Sequence, residues 1–136
     1  MKNLFVSTTF AKDKSKISDI LSFCEKRGLS NLELGSNHCF EKNYLKILKK
    51  KKLSYLIHNY FPIPKKSFVV NIASQNKSIR NKSLRHAFKA IRLCKQVEAK
   101  LYTIHPGFLE DPTSSNLNKD DYCLLYTSDA ADEEDS

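Results

Sequence analysis

Glycine is scarce, with 3 in 136 residues, and no Gly-rich phosphate loop follows the first apolar segment. That weakens a nucleotide-binding sheet, whose first strand-to-helix turn needs glycine for close approach to phosphate. The 4 cysteines, Cys24, Cys39, Cys94 and Cys123, show no CxxC spacing. Two of them fall on apolar helix faces, which argues against a zinc ribbon or disulfide framework and for a reducing compartment. No apolar run is long enough to span a bilayer. The apolar start, Leu4 to Phe10, is broken by Ser7, Thr8 and Thr9, which suits a strand and not a signal peptide. These absences together predict a cytoplasmic protein with no membrane partner.

What is present points to one core-forming domain, with 40% hydrophobic residues in a chain of ordinary domain length. The formal charge is +8, yet the last fourteen residues hold Asp129, Asp132, Glu133, Glu134 and Asp135 with no Lys or Arg. The basic charge therefore belongs to the part before them. It has two readings: a nucleic-acid partner, or a solvated surface with Lys49 to Lys52 complementing the end of a helix.

Apolar spacing divides the body into alternating strands and helices. "NLFVSTTF" reads as a buried strand, and "KISDILSFCEKRG" as a helix with Ile17, Ile20, Leu21 and Cys24 on one face and Gly28 at its end. "SNLELGS" is a second strand and "EKNYLKILKKKK" a second helix, with Tyr44, Leu45 and Leu48 inward. "LSYLIHNYF" is a third strand, followed by a loop stiffened by Pro62 and Pro64. "FVVNIAS" fits either a strand or an extended piece of that loop. A long helix spans roughly Lys77 to Glu98, with Leu84, Ala87, Phe88, Ile91 and Cys94 as its apolar stripe and His86 exposed beside Arg85. "KLYTIHPGF" is the fourth strand.

This alternation predicts an α/β fold of parallel strands joined by right-handed crossovers. A doubly wound sheet and a (β/α)8 TIM barrel both satisfy it. Polar residues at the strand ends favour the barrel, because Glu33, His58 and His105 each close a strand at its C-terminal end. Glu33, between Leu32 and Leu34, is expected to point inward, where a carboxylate needs a metal, a cation or a substrate hydroxyl; a rim contact with lysine is the alternative. His58 and His105 are read as equivalent positions on adjacent strands, about 5 Å apart and within reach of one ion. Asn59, Asn71 and Ser74 are candidate hydrogen-bonding groups for a polar ligand, with turn and cap roles open for Ser74. His38 follows the second strand and is a weaker candidate for the mouth.

The strings "NLELGSNH", "LIHNYFPIP", "VVNIASQN" and "YTIHPGF" resemble the xylose isomerase-like TIM-barrel superfamily, which includes sugar phosphate isomerases and epimerases and endonuclease IV. The resemblance implies about four βα units, the N-terminal half of a barrel, over residues 1–122. It further implies a divalent ion (Zn, Mn or Mg) held partly by His58 and His105, with Glu33 contacting metal or substrate, and a small carbohydrate as substrate. The rest of the metal site would come from strands five to eight, so the fragment itself is expected to be inactive. The endonuclease IV-like alternative implies zinc, abasic-site DNA and the same two histidines. A third reading is a barrel-derived ligand binder without catalysis. The string "CLLYTSDAADE", Cys123 to Glu133, resembles a translated sequencing adapter, so residues 123–136 are expected to be a non-native tail.

Overall fold

In the computed structural model, which describes residues 4–105 and 107–111, four short parallel strands form one sheet. They are β1 (Val6–Ser7), β2 (Asn31–Leu34), β3 (Ser54–His58) and β4 (Tyr102–Thr103), in the spatial order β1-β2-β3-β4. Three helices connect them: α1 (Ile17–Lys26), α2 (Tyr44–Lys50) and α3 (Lys77–Val97). The described residues divide into two units, one comprising the chain up to Ser67 with His86–Ile104, the other Phe68–Arg85 with the residues from His105 onward. The predicted adapter-like tail, residues 123–136, lies outside the described residues.

Side-chain alternation sets the layering of the first unit. Along β2, Leu32 and Leu34 are buried while Asn31 and Glu33 are only partly so, and along β3 Tyr55 and Ile57 are buried in the same way. Register places Leu32 opposite Tyr55 and Leu34 opposite Ile57, so all four project to one face. Ile17, Ile20, Leu21 and Cys24 of α1, Leu48 of α2, and Ala90 and Leu93 of α3 join them in a single core. All three helices thus cover the same face, whereas a doubly wound sheet carries helices on both. The other face presents Ser7, Glu33 and Leu56 in one row, and His58 with Thr103 in the next.

Local signals end the elements where the sequence suggested. After α1, Gly28 takes a positive φ of 70° and Leu29 N–H returns to the Cys24 carbonyl, a glycine-closed helix end. The first strand is shorter than "NLFVSTTF" implied, because Thr8–Phe10 coils into a 3-10 turn that buries Thr8. "FVVNIAS" forms no strand and belongs to the loop, with a turn at Ile72–Ala73.

Two expectations about α3 need correction. The apolar stripe of Leu84, Phe88 and Ile91 does not face the core: Phe88 is 59% and Ile91 51% exposed, and Leu84 is exposed too. The helix instead buries Ser83, His86, Ala90 and Leu93, whose spacing is equally helical. Small and polar residues win that face because Ala90 lets the helix approach the sheet closely and His86 donates from Nε2 to the Tyr60 carbonyl at 3.2 Å. His86 is therefore buried, not exposed, and burial pushes its imidazole pKa down despite the opposing carbonyl contact.

Candidate functional site at the carboxyl ends of the strands

Strand polarity brings the ends of β1, β2 and β3 together in the first unit, each followed by a polar segment. At β1, the Thr8 hydroxyl accepts the Gly35 N–H at 2.9 Å and lies 2.7 Å from Nε2 of His38. That contact ties the end of β1 to the loop after β2. A Cβ at Gly35 would run into the methyl of Thr9, so the close approach requires glycine. His38 is buried edge-on to Phe61, its Nδ1 has no hydrogen-bond partner, and desolvation lowers its pKa more than Glu41 raises it. It sits beneath the surface as a neutral imidazole.

Glu33 and Ser7 are register partners on the helix-free face. Glu33 is half-buried, and the alternation that buries its two leucines directs it to that face, as the sequence implied. His58 ends β3 on the same face, two residues beyond Leu56, the partner of Glu33. Its Nδ1 lies 2.7 Å from the Thr103 hydroxyl on β4. Such a second contact fixes the ring plane and tautomer of an imidazole, an arrangement common among metal-ligating histidines.

The expected equivalence of His58 and His105 does not hold. The register partner of His58 is Thr103, because β4 pairs through Tyr102 and Thr103 and ends there. His105 follows two residues later and belongs to the second unit. Asn59 turns the chain out of β3 at φ 22°, a conformation asparagine tolerates better than most residues. Its N–H donates to the Thr103 carbonyl at 2.6 Å and its own carbonyl accepts from the Tyr102 hydroxyl at 3.3 Å, leaving Oδ1 buried without a partner.

Asn71 and Ser74 lie in the second unit, committed to a loop network. Asn71 is fully buried. Its amide nitrogen donates to Asp111 at 2.9 Å and to the Phe108 carbonyl at 3.3 Å, while Oδ1 accepts from the N–H groups of Ala73 and Phe108. Ser74 donates to the other oxygen of Asp111 at 2.6 Å. Sequence reading overlooked Thr8, Thr103 and Asp111. Thr103 had a usable signal, being the alternating polar position of "YTIH"; Asp111, far along the chain from Asn71, had none.

The described residues thus define an α/β protein whose parallel sheet gathers a carboxylate and an imidazole at its carboxyl end. Comparison of the chain with protein-family models, curated proteins and solved structures gives no match. Among the described residues no helix is long and apolar enough to cross a membrane, and no three His, Cys, Asp or Glu side chains gather as a metal-holding group.

Proposed function

We propose that the chain is the N-terminal half of a (β/α)8 barrel enzyme of the sugar phosphate isomerase/epimerase type, acting on a small carbohydrate with a divalent ion. The observation that carries this reading is the placement of Glu33 and His58 on the one sheet face without helices, at the strand ends where barrels of this kind assemble their sites. Strand order follows chain order and every helix covers the other face, the pattern that closes into a barrel when more βα units follow. The donor chemistry fits a hard or borderline ion, one carboxylate and one oriented imidazole. Bound there, an ion would polarise a substrate carbonyl and acidify the neighbouring C–H. Glu33 would hold a sugar hydroxyl or the ion, and Thr103 would keep His58 aligned. The remaining ligands would come from later strands, with no more than weak metal affinity in this chain.

The second reading, an endonuclease IV-like enzyme acting on abasic-site DNA through zinc, is favoured by one feature. Helix α3 carries seven Lys and Arg residues and no Asp or Glu, a distribution suited to phosphates. The full-length parent decides between them. Metal-dependent interconversion of a ketose substrate without incision of abasic-site duplex supports the isomerase reading, and metal-dependent incision overturns it.

A further inference from the structure

Parallel strands joined by helices return every helix to the same end of the sheet, so in the first unit the turns after α1, α2 and α3 all lie at the amino ends of β2, β3 and β4. The candidate metal site occupies the opposite end. Cations collect where the helices finish: α1 closes with Lys26 and Arg27, α2 with Lys49 and Lys50 ahead of Lys51 and Lys52, and α3 with Lys95 ahead of Lys100. All but Lys51 are exposed, and Lys51 pairs with Glu25 at 2.6 Å. The same turns hold two carboxylates, Glu25 and Glu98. Complementing the helix dipoles explains part of this charge. A helix end presents about half a negative charge, so three ends and two carboxylates offset fewer than half of the eight cations, and roughly four positive charges remain. At the carboxyl ends, by contrast, six lysines are mixed with Asp13, Asp19, Glu33 and Glu41.

The basic end is also concave. A cavity of about 410 Å³ between the ends of α2 and α3 is lined by Lys49, Lys51, Gln96 and Glu98, and a second, of about 350 Å³, by Asn31, Ser54, Glu98 and Lys100. Leu53, Tyr55, Val97 and Glu98 belong to both, so the two form one groove across the amino ends of β2 and β3. We propose that this groove and its lysine rim bind the sugar–phosphate backbone of a nucleic acid without reading its base sequence. The cations are spread over three successive turns, which matches a row of phosphates better than one small anion. Lysine ammonium groups act there as point charges, and the amides of Asn31 and Gln96 with the Ser54 hydroxyl supply neutral partners for phosphate and sugar oxygens. Concavity favours this partner over a lipid surface, because a backbone can lie in a groove that a flat bilayer cannot enter. Glu98 is the one carboxylate lining the groove and opposes the binding. The face lies at the other end of the strands from Glu33 and His58, so its function is separate from the proposed chemistry.

Fluorescence anisotropy of a labelled, mixed-sequence DNA duplex titrated with the full chain in EDTA tests this. With about four phosphates neutralised, affinity is expected to fall roughly a hundredfold between about 50 and 200 mM salt. The variant Lys49→Gln/Lys50→Gln/Lys52→Gln should keep the helical circular dichroism, weaken binding roughly tenfold or more, and flatten the log–log salt slope by about two to three. Lys12→Gln/Lys65→Gln/Lys66→Gln removes the same charge from exposed lysines at the other end of the strands and should cost less than about threefold. Glu98→Gln tests the groove in the opposite direction and should tighten binding a few-fold. No binding at low salt overturns the proposal, as does an equal loss in the two triple variants, which would reflect net charge alone. Unchanged affinity in Glu98→Gln, or tighter binding to phosphatidylserine vesicles than to the duplex, overturns it too. Binding that appears only when zinc replaces EDTA also overturns it, and leaves the proposed metal site standing.

Discussion

Thr103 holds Nδ1 of His58 at 2.7 Å across the β3–β4 pairing, so the orientation of the candidate ligand on one strand is set by the hydroxyl of the next. Removing an outer-shell partner of this kind commonly lowers metal affinity 10–100-fold. At the proposed metal site, Thr103→Val is expected to weaken zinc or manganese binding by about that factor, measured by titration calorimetry. Thr103→Ser should restore most of the affinity, and His58→Ala should weaken binding beyond the threonine variant.

The two faces of α3 should differ sharply in stability. Leu93→Ala removes a fully buried side chain and is expected to cost about 2–5 kcal/mol, whereas Phe88→Ala should lie within about 0.5 kcal/mol. Urea denaturation at low protein concentration checks both. A large loss for Phe88→Ala would place it in the core of a single chain.

His38 and His86 both have pKa values lowered by burial from 6.5. The folded state thus prefers the neutral imidazole at each site. Their burial carries no protonation cost above about pH 6.5, and stability falls as pH drops below it toward the lower folded values. The slope is at most about 1.4 kcal/mol per pH unit for each proton. Denaturation midpoints measured between neutral and mildly acid pH should decline in the wild type. The decline should be shallower in His38→Gln and in His86→Gln.

In the second unit, Gly107 has φ 132°, and a Cβ there would strike Oδ1 of Asn71, which already accepts from two backbone N–H groups. Gly107→Ala combines backbone strain with disruption of a buried polar network and is expected to cost about 2–4 kcal/mol. Asn71→Ala should act similarly by leaving the N–H groups of Ala73 and Phe108 without their acceptor. Hydrogen exchange at those two amides reads the effect locally, with faster exchange in both variants.

Much of the first unit was legible because burial follows period there. "NLEL" announced two buried leucines and a carboxylate on the opposite face of the strand, and the Ile17, Ile20, Leu21 and Cys24 set named the inner face of α1. The α3 stripe misled because the more hydrophobic face of that helix is the exposed one, with Phe88 at 59% and Ile91 at 51%. Ser83, His86 and Ala90 show that fit and hydrogen bonding chose the inner face. The histidine pairing misled for a different reason. A repeated "apolar strand then histidine" pattern carries no register, and β4 aligned Thr103 with His58. Thr8 escaped notice because its role depends on the Gly35 amide and His38, far from it in sequence.

The sequential order of the strands also bears on how the chain assembles. Among the described residues each strand pairs only with the strands immediately before and after it in the chain, so none of these three pairings must wait for a distant segment. The β2–β3 ladder, the longest of the three, can form once β3 has left the ribosome. It then serves as the template on which β1 and β4 dock from either side. Such growth by neighbours keeps loop-closure entropy small at every step. A nascent chain of this design can begin organising its sheet before β4 has been synthesised.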